Sequence, residues 1–422
     1  MVRRLVLQDC GDLIVRARTH MRPAMKTSAS LLIVTCVVLE LSACSNEQST
    51  MTSTSATTLT SSVAAGDLNG DGRPDLTSTN ISVVGPPPHS GQVSVILQSQ
   101  SSPGVFGRST EFDVGSDPQK VAIGDLNGDS FEDLVTANNT AASISILFQN
   151  SVSPGTFLTA KNLGVGAHPT GIAIGDLNGD GHLDIAVADS ELSILFQNPN
   201  AAGIFLSPMS LGVNCSSVGI GDFNADGRLD LVATSPDAGN VSILLQSTIG
   251  SGNFLSPLTV VAGFQPIDIA IADLNNDGFP DLAIANAGTP DNPATASLSV
   301  LLNNLNSPGR FLTATNYATG ARSQSVAVGD LNGDRNVDVA VANAGGLGNA
   351  GSVSVLLQNP GGLGTFRPAV TQPGTSQPLG VAIADLNGDG FSDIAVADSG
   401  VRVLFQIPGQ PGTFRSPLLV GG

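Results

Sequence analysis

The chain is poor in the residues on which catalysis, nucleic-acid binding and disulfide frameworks depend. Its 422 residues include no Trp, one Tyr, four His and four Cys, and only 12% of them are charged. So few cysteines, spaced widely along the chain, give no disulfide framework. Outside the loops described below, no paired carboxylates, no triad and no His-rich metal spacing meet the requirements of an active site. We therefore predict that the protein is not an enzyme.

Basic residues are also scarce, with 17 Lys and Arg against 35 Asp and Glu and a net charge of −18. This balance argues against nucleic acid as a partner. Removal of residues 1–43, argued below, would leave 32 acidic and 11 basic residues, and 21 of the acidic ones lie in seven short loops. The negative charge is therefore concentrated in one repeated motif.

The motif is the nine-residue pattern Asp-x-Asn-x-Asp-Gly-x-x-Asp, which first occurs at residues 67–75. Its later copies begin at Asp125, Asp176, Asp222, Asp273, Asp330 and Asp385. Oxygen atoms at positions one, three, five and nine suit a hard cation such as Ca²⁺, which takes six to eight oxygen ligands. The glycine at position six permits the positive φ of a sharp turn. The pattern therefore predicts a calcium loop that begins like that of an EF-hand.

The second half of the motif differs from an EF-hand, which needs a bidentate Glu at position twelve and helices on both sides. Position twelve never holds a ligand; it is Ser78, Thr136, Val187, Ala233, Ile284, Val341 or Val396. The flanks are short β-rich runs, such as residues 121–124 and 184–188. We therefore predict seven calcium loops, each inside a β-hairpin.

Residues 1–43 are predicted to be an N-terminal extension and export signal that is removed. Arg22 and Lys26 precede an apolar run over residues 31–41, which is shorter than the roughly 20 residues of a membrane span. The following Leu-Ser-Ala-Cys44 resembles the lipobox of bacterial lipoproteins, which implies lipidation of Cys44. An ordinary cleaved signal is the alternative. The Ser/Thr-rich residues 44–62 are predicted to be a flexible linker.

From Val63 onward the chain repeats, with steps of 46 to 58 residues between first Asp positions, a period typical of propellers. Each unit has four strand-like segments; in the third unit they are residues 171–175, 185–188 and 192–197 and a segment beginning at Phe205. Each unit also has a Gly-x-Phe, whose aromatic residue is Phe106, Phe157, Phe205, Phe254, Phe311, Phe366 or Phe414. We expect these rings to fill the space between neighbouring units.

Four short antiparallel strands repeated radially make a β-propeller. We therefore predict an all-β fold, a seven-bladed β-propeller of four-stranded antiparallel blades over residues 63–422, with a calcium loop between strands one and two of each blade. The short turns between strands three and four predict that each fourth strand pairs within its own blade. Blade seven would then pack on blade one without a swapped strand.

These repeats resemble the FG-GAP/VCBS family, the propeller repeats of integrin α-subunit heads and of many bacterial surface proteins. The resemblance covers residues 63–422 and rests on the seven Asp-x-Asn-x-Asp loops and the seven Gly-x-Phe segments. It implies up to seven structural Ca²⁺, each held by the side chains at positions one, three, five and nine and by the carbonyl at position seven. The implied metal ligands are Asp67, Asn69, Asp71 and Asp75; Asp125, Asn127, Asp129 and Asp133; Asp176, Asn178, Asp180 and Asp184; Asp222, Asn224, Asp226 and Asp230; Asp273, Asn275, Asp277 and Asp281; Asp330, Asn332, Asp334 and Asp338; and Asp385, Asn387, Asp389 and Asp393.

Two loops depart from the pattern at position six, where Ser130 and Arg335 replace glycine. A left-handed backbone costs a residue with a Cβ about 1–2 kcal/mol, so we predict that these two sites are the weakest. The alternative for all seven loops is that Asp and Asn only make Asx-turns without metal. Cys215 stands where four other repeats have Pro, and we predict that it is packed rather than nucleophilic.

The sequence predicts an exported, cell-surface-tethered calcium-binding propeller that binds or adheres to an extracellular protein or glycan. Loops between strands two and three are long at residues 80–91, 286–296 and 343–351 and short elsewhere, and variable loops on a rigid scaffold are where recognition tends to reside. Tolerated insertion is the other explanation of their length. The alternative functions are a polysaccharide lyase or hydrolase and a purely structural envelope protein. We expect a monomer in the cell envelope or on the outer surface, touching the membrane only through a lipid at Cys44, or else a secreted protein.

Overall fold

The computed structural model describes residues 58–82, 91–289, 292, 295–346, 350–361 and 363–422. Across these ranges the regular elements are 28 β-strands, which form seven separate four-stranded sheets. No stretch of the described residues forms a helix long and apolar enough to span a membrane. The proposed export signal, Cys44 and residues 44–57 of the proposed linker lie outside the described residues.

Blades one to four contain the first sixteen strands. Their bounds are β1 (Thr58–Gly66), β2 (Asp75–Ser82), β3 (Gly91–Ile96) and β4 (Thr110–Val114); β5 (Pro118–Gly124), β6 (Asp133–Asn138), β7 (Ser143–Leu147) and β8 (Lys161–Gly164); β9 (Gly171–Gly175), β10 (Asp184–Ala188), β11 (Leu192–Leu195) and β12 (Met209–Ser210); and β13 (Ser217–Gly221), β14 (Asp230–Ser235), β15 (Asn240–Leu244) and β16 (Leu258–Val261).

Blades five to seven contain the other twelve. Their bounds are β17 (Pro266–Ala272), β18 (Asp281–Asn286), β19 (Ser297–Leu301) and β20 (Thr315–Ala318); β21 (Ser323–Gly329), β22 (Asp338–Asn343), β23 (Ser352–Leu356) and β24 (Val370–Gln372); and β25 (Gly380–Ala384), β26 (Asp393–Asp398), β27 (Gly400–Leu404) and β28 (Leu418–Val420).

Every sheet has the order first, second, third, fourth strand, all antiparallel, and every strand pairs within its own blade. The seven-bladed propeller and its closure without a swapped strand are therefore confirmed. The nine-residue loops, here called Asp loops one to seven, leave each blade at the same end as the turns between strands three and four. Loops between strands two and three leave at the opposite end, here called the crossover face.

The first strands surround the propeller axis. Each contacts the first strands of both neighbouring blades, and β25 contacts β1. Lys120 of blade two reaches Asp268 of blade five, with 3.2 Å between Nζ and Oδ1. Because these blades lie on opposite sides of the ring, the ion pair crosses the axis. The hydroxyl groups of Ser217 and Ser325 also donate to Asp268, which leaves this buried carboxylate well bonded.

The hydrophobic core is divided among the blade interfaces. Seven buried clusters each combine residues of two neighbouring blades, including one that joins blade seven to blade one. The Phe of each Gly-x-Phe belongs to the cluster shared with the preceding blade. Phe157 of blade two, for example, lies in the cluster that contains Leu68 and Val93 of blade one. The predicted position of these aromatic residues between blades is confirmed.

Two predicted boundaries were wrong. The first blade begins at Thr58 rather than Val63, because Thr60 is buried and pairs with the second strand instead of belonging to a linker. Ser62 is also buried, and its backbone N–H donates to Thr79 Oγ1 of the second strand at 3.0 Å. The fourth strand of blade three is Met209–Ser210 and does not open at Phe205. Phe205 instead makes a single β-bridge to Gln197, and the equivalent bridge recurs in every blade.

Candidate metal centres

Each Asp loop follows the first strand directly, and its first Asp folds back over the loop. In all seven loops the Oδ2 atom of this Asp accepts the N–H of position six at 2.7–2.8 Å. The Oδ1 atom accepts the N–H of position five at 3.0–3.2 Å. The first carboxylate therefore shapes the turn, as Asx-type bonding does.

Positions three and five continue this bonding. The Asp at position five accepts the N–H of position seven at 2.8–3.0 Å in every loop. The Asn at position three accepts the N–H of position five at 2.8–3.0 Å in loops two to seven. The structure thus brings positions one, three and five together in one ordered turn.

The Asp at position nine has a different place. It is the first residue of the second strand and is 0% exposed in all seven blades. Its Oδ2 accepts the N–H of position two at 2.9–3.0 Å. Its Oδ1 accepts the backbone N–H of a residue just beyond the third strand at 2.6–2.8 Å. This carboxylate therefore anchors the loop to the sheet.

The buried carboxyl at position nine has a raised pKa in every blade. The pKa is about 7 for Asp75, Asp133, Asp281, Asp338 and Asp393 and about 6 for Asp184 and Asp230. Burial is the largest cause, and the two backbone N–H groups act in the opposite direction. The charges at positions five and one raise the pKa further, which shows how closely three carboxylates crowd each loop.

Within the described residues, no group of three or more Asp, Glu, His or Cys side chains is arranged to hold a metal ion. Each loop includes an Asn, and the Asp at position nine accepts hydrogen bonds from backbone N–H groups. Loop one nevertheless shows free ligand capacity, since Asn69 Oδ1 and Asp71 Oδ2 are buried without a hydrogen-bond partner. Asn69 instead donates from Nδ2 to Asp75, at 3.0 Å. An all-oxygen set with orphaned acceptors fits Ca²⁺.

Position six has the predicted backbone conformation. Ser130 and Arg335 have φ of 69° and 68°, in the left-handed region that the other loops fill with glycine. Position four is left-handed as well, and there loop four has Ala225 with φ of 56°. Position four is unspecified in the nine-residue pattern, so the strain at Ala225 was not predicted from the sequence.

Two further sets of loop residues were missed. Position two is apolar and 0% exposed in every loop: Leu68, Leu126, Leu177, Phe223, Leu274, Leu331 and Leu386. Just beyond each third strand lies an amide residue: Gln98, Gln149, Gln197, Gln246, Asn303, Gln358 and Gln406. Its side chain donates to the carbonyl of position eight at 2.8–3.3 Å. The signal was present in the sequence, because one residue type returns at one place in each repeat.

Two further reactive side chains, Cys215 and His168, lie outside the Asp loops. Burial, and then the charge of Asp189, raise the pKa of the Cys215 thiol to about 12, and this residue packs against the cluster between blades three and four. The prediction that Cys215 is packed is confirmed. The His168 ring lies 3.3 Å from the Asn139 side chain.

The repeated Asp loops and Gly-x-Phe turns match known sequence families. A family model described as an FG-GAP-like repeat matches residues 125–187, 222–284 and 334–396, and one described as an FG-GAP repeat matches residues 59–96. The chain contains FG-GAP repeats. No curated protein matches it.

Solved structures share the fold of this FG-GAP protein at low identity. A functionally unknown protein from Desulfotomaculum acetoxidans has a TM-score of 0.50 and 12% identity, with 76% of this chain and 91% of that chain covered. BBS1N, solved in complex with ARL6DN, has a TM-score of 0.54 and 13% identity, with 84% and 94% covered. The Vibrio cholerae biofilm matrix protein Bap1 has a TM-score of 0.45 and 15% identity, with 87% and 81% covered. The first two likenesses show the fold alone.

Proposed function

We propose that this FG-GAP propeller is an exported binding module whose Asp loops hold structural Ca²⁺. The observation that carries the metal assignment is loop one, where Asn69 Oδ1 and Asp71 Oδ2 are buried acceptors without a partner. The same donor set recurs in all seven blades. Asx-turn bonding alone would account for the turn but would leave these two oxygen atoms unsatisfied, which costs about 1–3 kcal/mol per buried group.

Within each loop the side chains at positions one, three, five and nine would supply the ligands, together with the backbone carbonyl at position seven. Bound Ca²⁺ would neutralise the crowded carboxylates. The hydrogen bonds from backbone N–H groups to positions one and five already hold the turn in shape, so little ordering would be needed on binding. Extracellular calcium modules have Kd values of about 10⁻⁴–10⁻³ M, which suits an exported protein.

Binding is a better function than catalysis for this arrangement of acids. Carboxyls with raised pKa values often mark an active site when they lie in a cleft. Here the group whose pKa is raised in every blade is the Asp at position nine, which is 0% exposed and bonded to two backbone N–H groups. Such a group anchors a loop and has no access to a substrate. The burial of this group favours a binding module over a polysaccharide lyase or hydrolase.

The crossover face is the proposed recognition surface. At this face β2 ends at Ser82 and β3 begins at Gly91, so eight residues connect the two strands. The equivalent strands of blade seven are connected by a single residue between Asp398 and Gly400. Loops that vary in length on a rigid scaffold are suited to recognition. An extracellular protein or glycan is the partner class we propose.

The test is binding to arrays of immobilised polysaccharides and extracellular matrix proteins, with and without Ca²⁺. We expect calcium-dependent binding that falls at least about tenfold when residues 83–90 are replaced by the short blade-seven connection. Val152→Ser is the control, because Val152 is 91% exposed on a turn at the opposite end of the blade. Binding that survives the replacement, or turnover of a polysaccharide, would contradict the proposal.

A further inference from the structure

One amide residue in each of four blades reaches the Asp loop of the preceding blade. Gln246 of blade four donates from Nε2 to the carbonyl of Leu177, at position two of loop three. The equivalent bonds are Asn303 to Phe223 at 2.8 Å, Gln358 to Leu274 at 2.8 Å and Gln406 to Leu331. Each of these amides also bonds to the carbonyl of position eight in its own blade. The amide therefore joins two neighbouring Asp loops.

A second contact from the same blade bears on the same loop. In blades one to six the glycine of the Gly-x-Phe lies against the Asn at position three of the preceding loop. A Cβ added at Gly252 would lie 3.4 Å from Cβ of Asn178, and one added at Gly309 would lie 3.3 Å from Cβ of Asn224. These glycines also have positive φ, 72° and 82°. In blade five the amide holds this glycine too, because Gly309 N–H donates to Asn303 Oδ1 at 3.1 Å.

The two contacts converge on one metal-ligand position. The carbonyl of Leu177 belongs to the peptide group that carries the N–H of Asn178, so the bond from Gln246 fixes the orientation of that peptide. Gly252 lies beside the same residue, since a Cβ added there would be in van der Waals contact with Cβ of Asn178. Asn178 Oδ1 in turn accepts the N–H of Asp180 at 2.9 Å. Groups that orient a metal ligand in this way typically change metal affinity by about 10–100-fold when they are removed.

We propose that Gln246, and its equivalents in blades five to seven, are positioning residues for the Ca²⁺ site of the preceding blade. Sites three to six are then each completed across a blade interface, and occupation of one site stabilises the contact with the next blade. This inference rests on the proposed calcium binding by the Asp loops. It predicts that metal affinity in one blade depends on a residue that belongs to another.

The variants follow from the contacts. Gln246→Met removes the amide at similar side-chain length, and Gln246→Asn is the conservative variant, because Asn303 makes the same pair of bonds in blade five. The matched control is Gln149→Met, since Gln149 bonds to the position-eight carbonyl of its own blade and no bond joins it to the preceding loop. Calorimetric calcium titration is expected to show one site weakened about tenfold in Gln246→Met and restored in Gln246→Asn.

A double-mutant cycle assigns the weakened site. Asp180→Asn damages loop three and Asp226→Asn damages loop four, and each is combined with Gln246→Met. With saturating Ca²⁺, Gln246→Met should lower the thermal midpoint of Asp180→Asn at most half as much as it lowers that of the wild type. It should lower the thermal midpoint of Asp226→Asn by the same amount as that of the wild type. With chelator, both pairs should be additive. If Gln246→Met does not fold, the same cycle is run with Gln358→Met and Asp277→Asn in loop five.

Two results would overturn the inference, and they are distinguishable. Equal coupling with calcium and with chelator would show that Gln246 has only a structural role, while the wild-type stoichiometry would still support calcium binding. A wild-type protein that binds no calcium would overturn the proposed function and this inference together.

Discussion

Three carboxylates share each Asp loop, but only the one at position nine is removed from solvent. Asp184, for example, is 0% exposed and uses both oxygen atoms to accept backbone N–H groups, one within the loop and one beyond the third strand. Asp176 and Asp180 remain partly or fully exposed. The chemical type of a residue therefore does not fix its role, which depends on whether the strand that follows carries it into the core.

We expect the metal-free protein to become more stable as the pH falls from 8 to 5. The Asp residues at position nine have folded-state pKa values of about 6 to 7, above the ordinary value of 3.8. The folded state therefore binds more protons in this range, and the stabilisation, fully present below 3.8, is lost as the pH rises through about 7. Thermal unfolding in chelator measures it. An unfolding temperature that is constant or increases from pH 5 to 8 would contradict this prediction.

Asp398 acts in the opposite sense but outside that pH window. Burial would raise its pKa, but hydrogen bonds from Ser376 and Gln377 outweigh burial and lower it. The stabilisation by Asp398 is therefore present above the ordinary pKa and is lost only as the pH falls through the lower folded pKa.

With Ca²⁺ present, the protein should instead become less stable as the pH falls from 8 to 5, because protons compete with the cation for the carboxylates of the Asp loops.

Arg335→Gly is expected to stabilise the metal-free protein by about 1 kcal/mol. Arg335 has φ of 68°, which costs a residue with a Cβ about 1–2 kcal/mol, and the greater freedom of glycine in the unfolded chain offsets part of the gain. Chemical denaturation in chelator measures the change. The matched control is Gly390→Arg, at the same position of loop seven, which should lower stability by a similar amount. A less stable Arg335→Gly protein would contradict the argument.

At the scale of elements, the sequence pattern predicted the first three strands of the blades and the loops that join the first two. It failed at the fourth strand of blade three, where Phe205 makes an isolated bridge and the strand begins only at Met209. That fourth strand has only two residues, so no alternation of apolar residues marks it. The role of Gln246 was also missed, because a polar residue after a strand looks like a surface residue until its partner in another blade is known.

Leu177→Ala tests whether position two anchors an Asp loop. Leu177 is 0% exposed, and removal of such a buried Leu typically costs about 2–5 kcal/mol. We expect a loss of about 3 kcal/mol in the free energy of unfolding. The control is Leu206→Ala, because Leu206 is 49% exposed and should change stability by about 0.5 kcal/mol or less. Equal effects of the two substitutions would show that position two is not an anchor.

At the scale of the whole molecule, the propeller closes through side-chain packing and a backbone hydrogen bond. Val63 and Leu76 of blade one share a buried cluster with Leu386 and Val403 of blade seven. The N–H of Ser109 donates to the carbonyl of Gly421 at 3.0 Å. The sequence predicted closure without strand exchange, but it did not predict this bond, which joins segments more than 300 residues apart.

Gly380→Val is expected to open the junction between blades seven and one. A Cβ at Gly380 would lie 3.0 Å from the Ser62 Cα atom and 3.1 Å from the Ser61 carbonyl oxygen, and neither backbone atom can move away easily. We expect a loss of about 1–3 kcal/mol in chemical denaturation. Gly164→Val is the control, because nothing lies within 4 Å of a Cβ there. A Gly380→Val protein as stable as the control would contradict the closure described here.

The most direct test of the account is calcium stoichiometry combined with thermal unfolding, on protein purified in chelator and then titrated with Ca²⁺. The seven Asp loops predict five to seven Ca²⁺ per chain and an unfolding temperature that rises with calcium concentration, since each occupied site adds RT ln(1 + [L]/Kd). A protein that binds no Ca²⁺ and unfolds at the same temperature throughout the titration would contradict the central claim and leave the loops as Asx-turns.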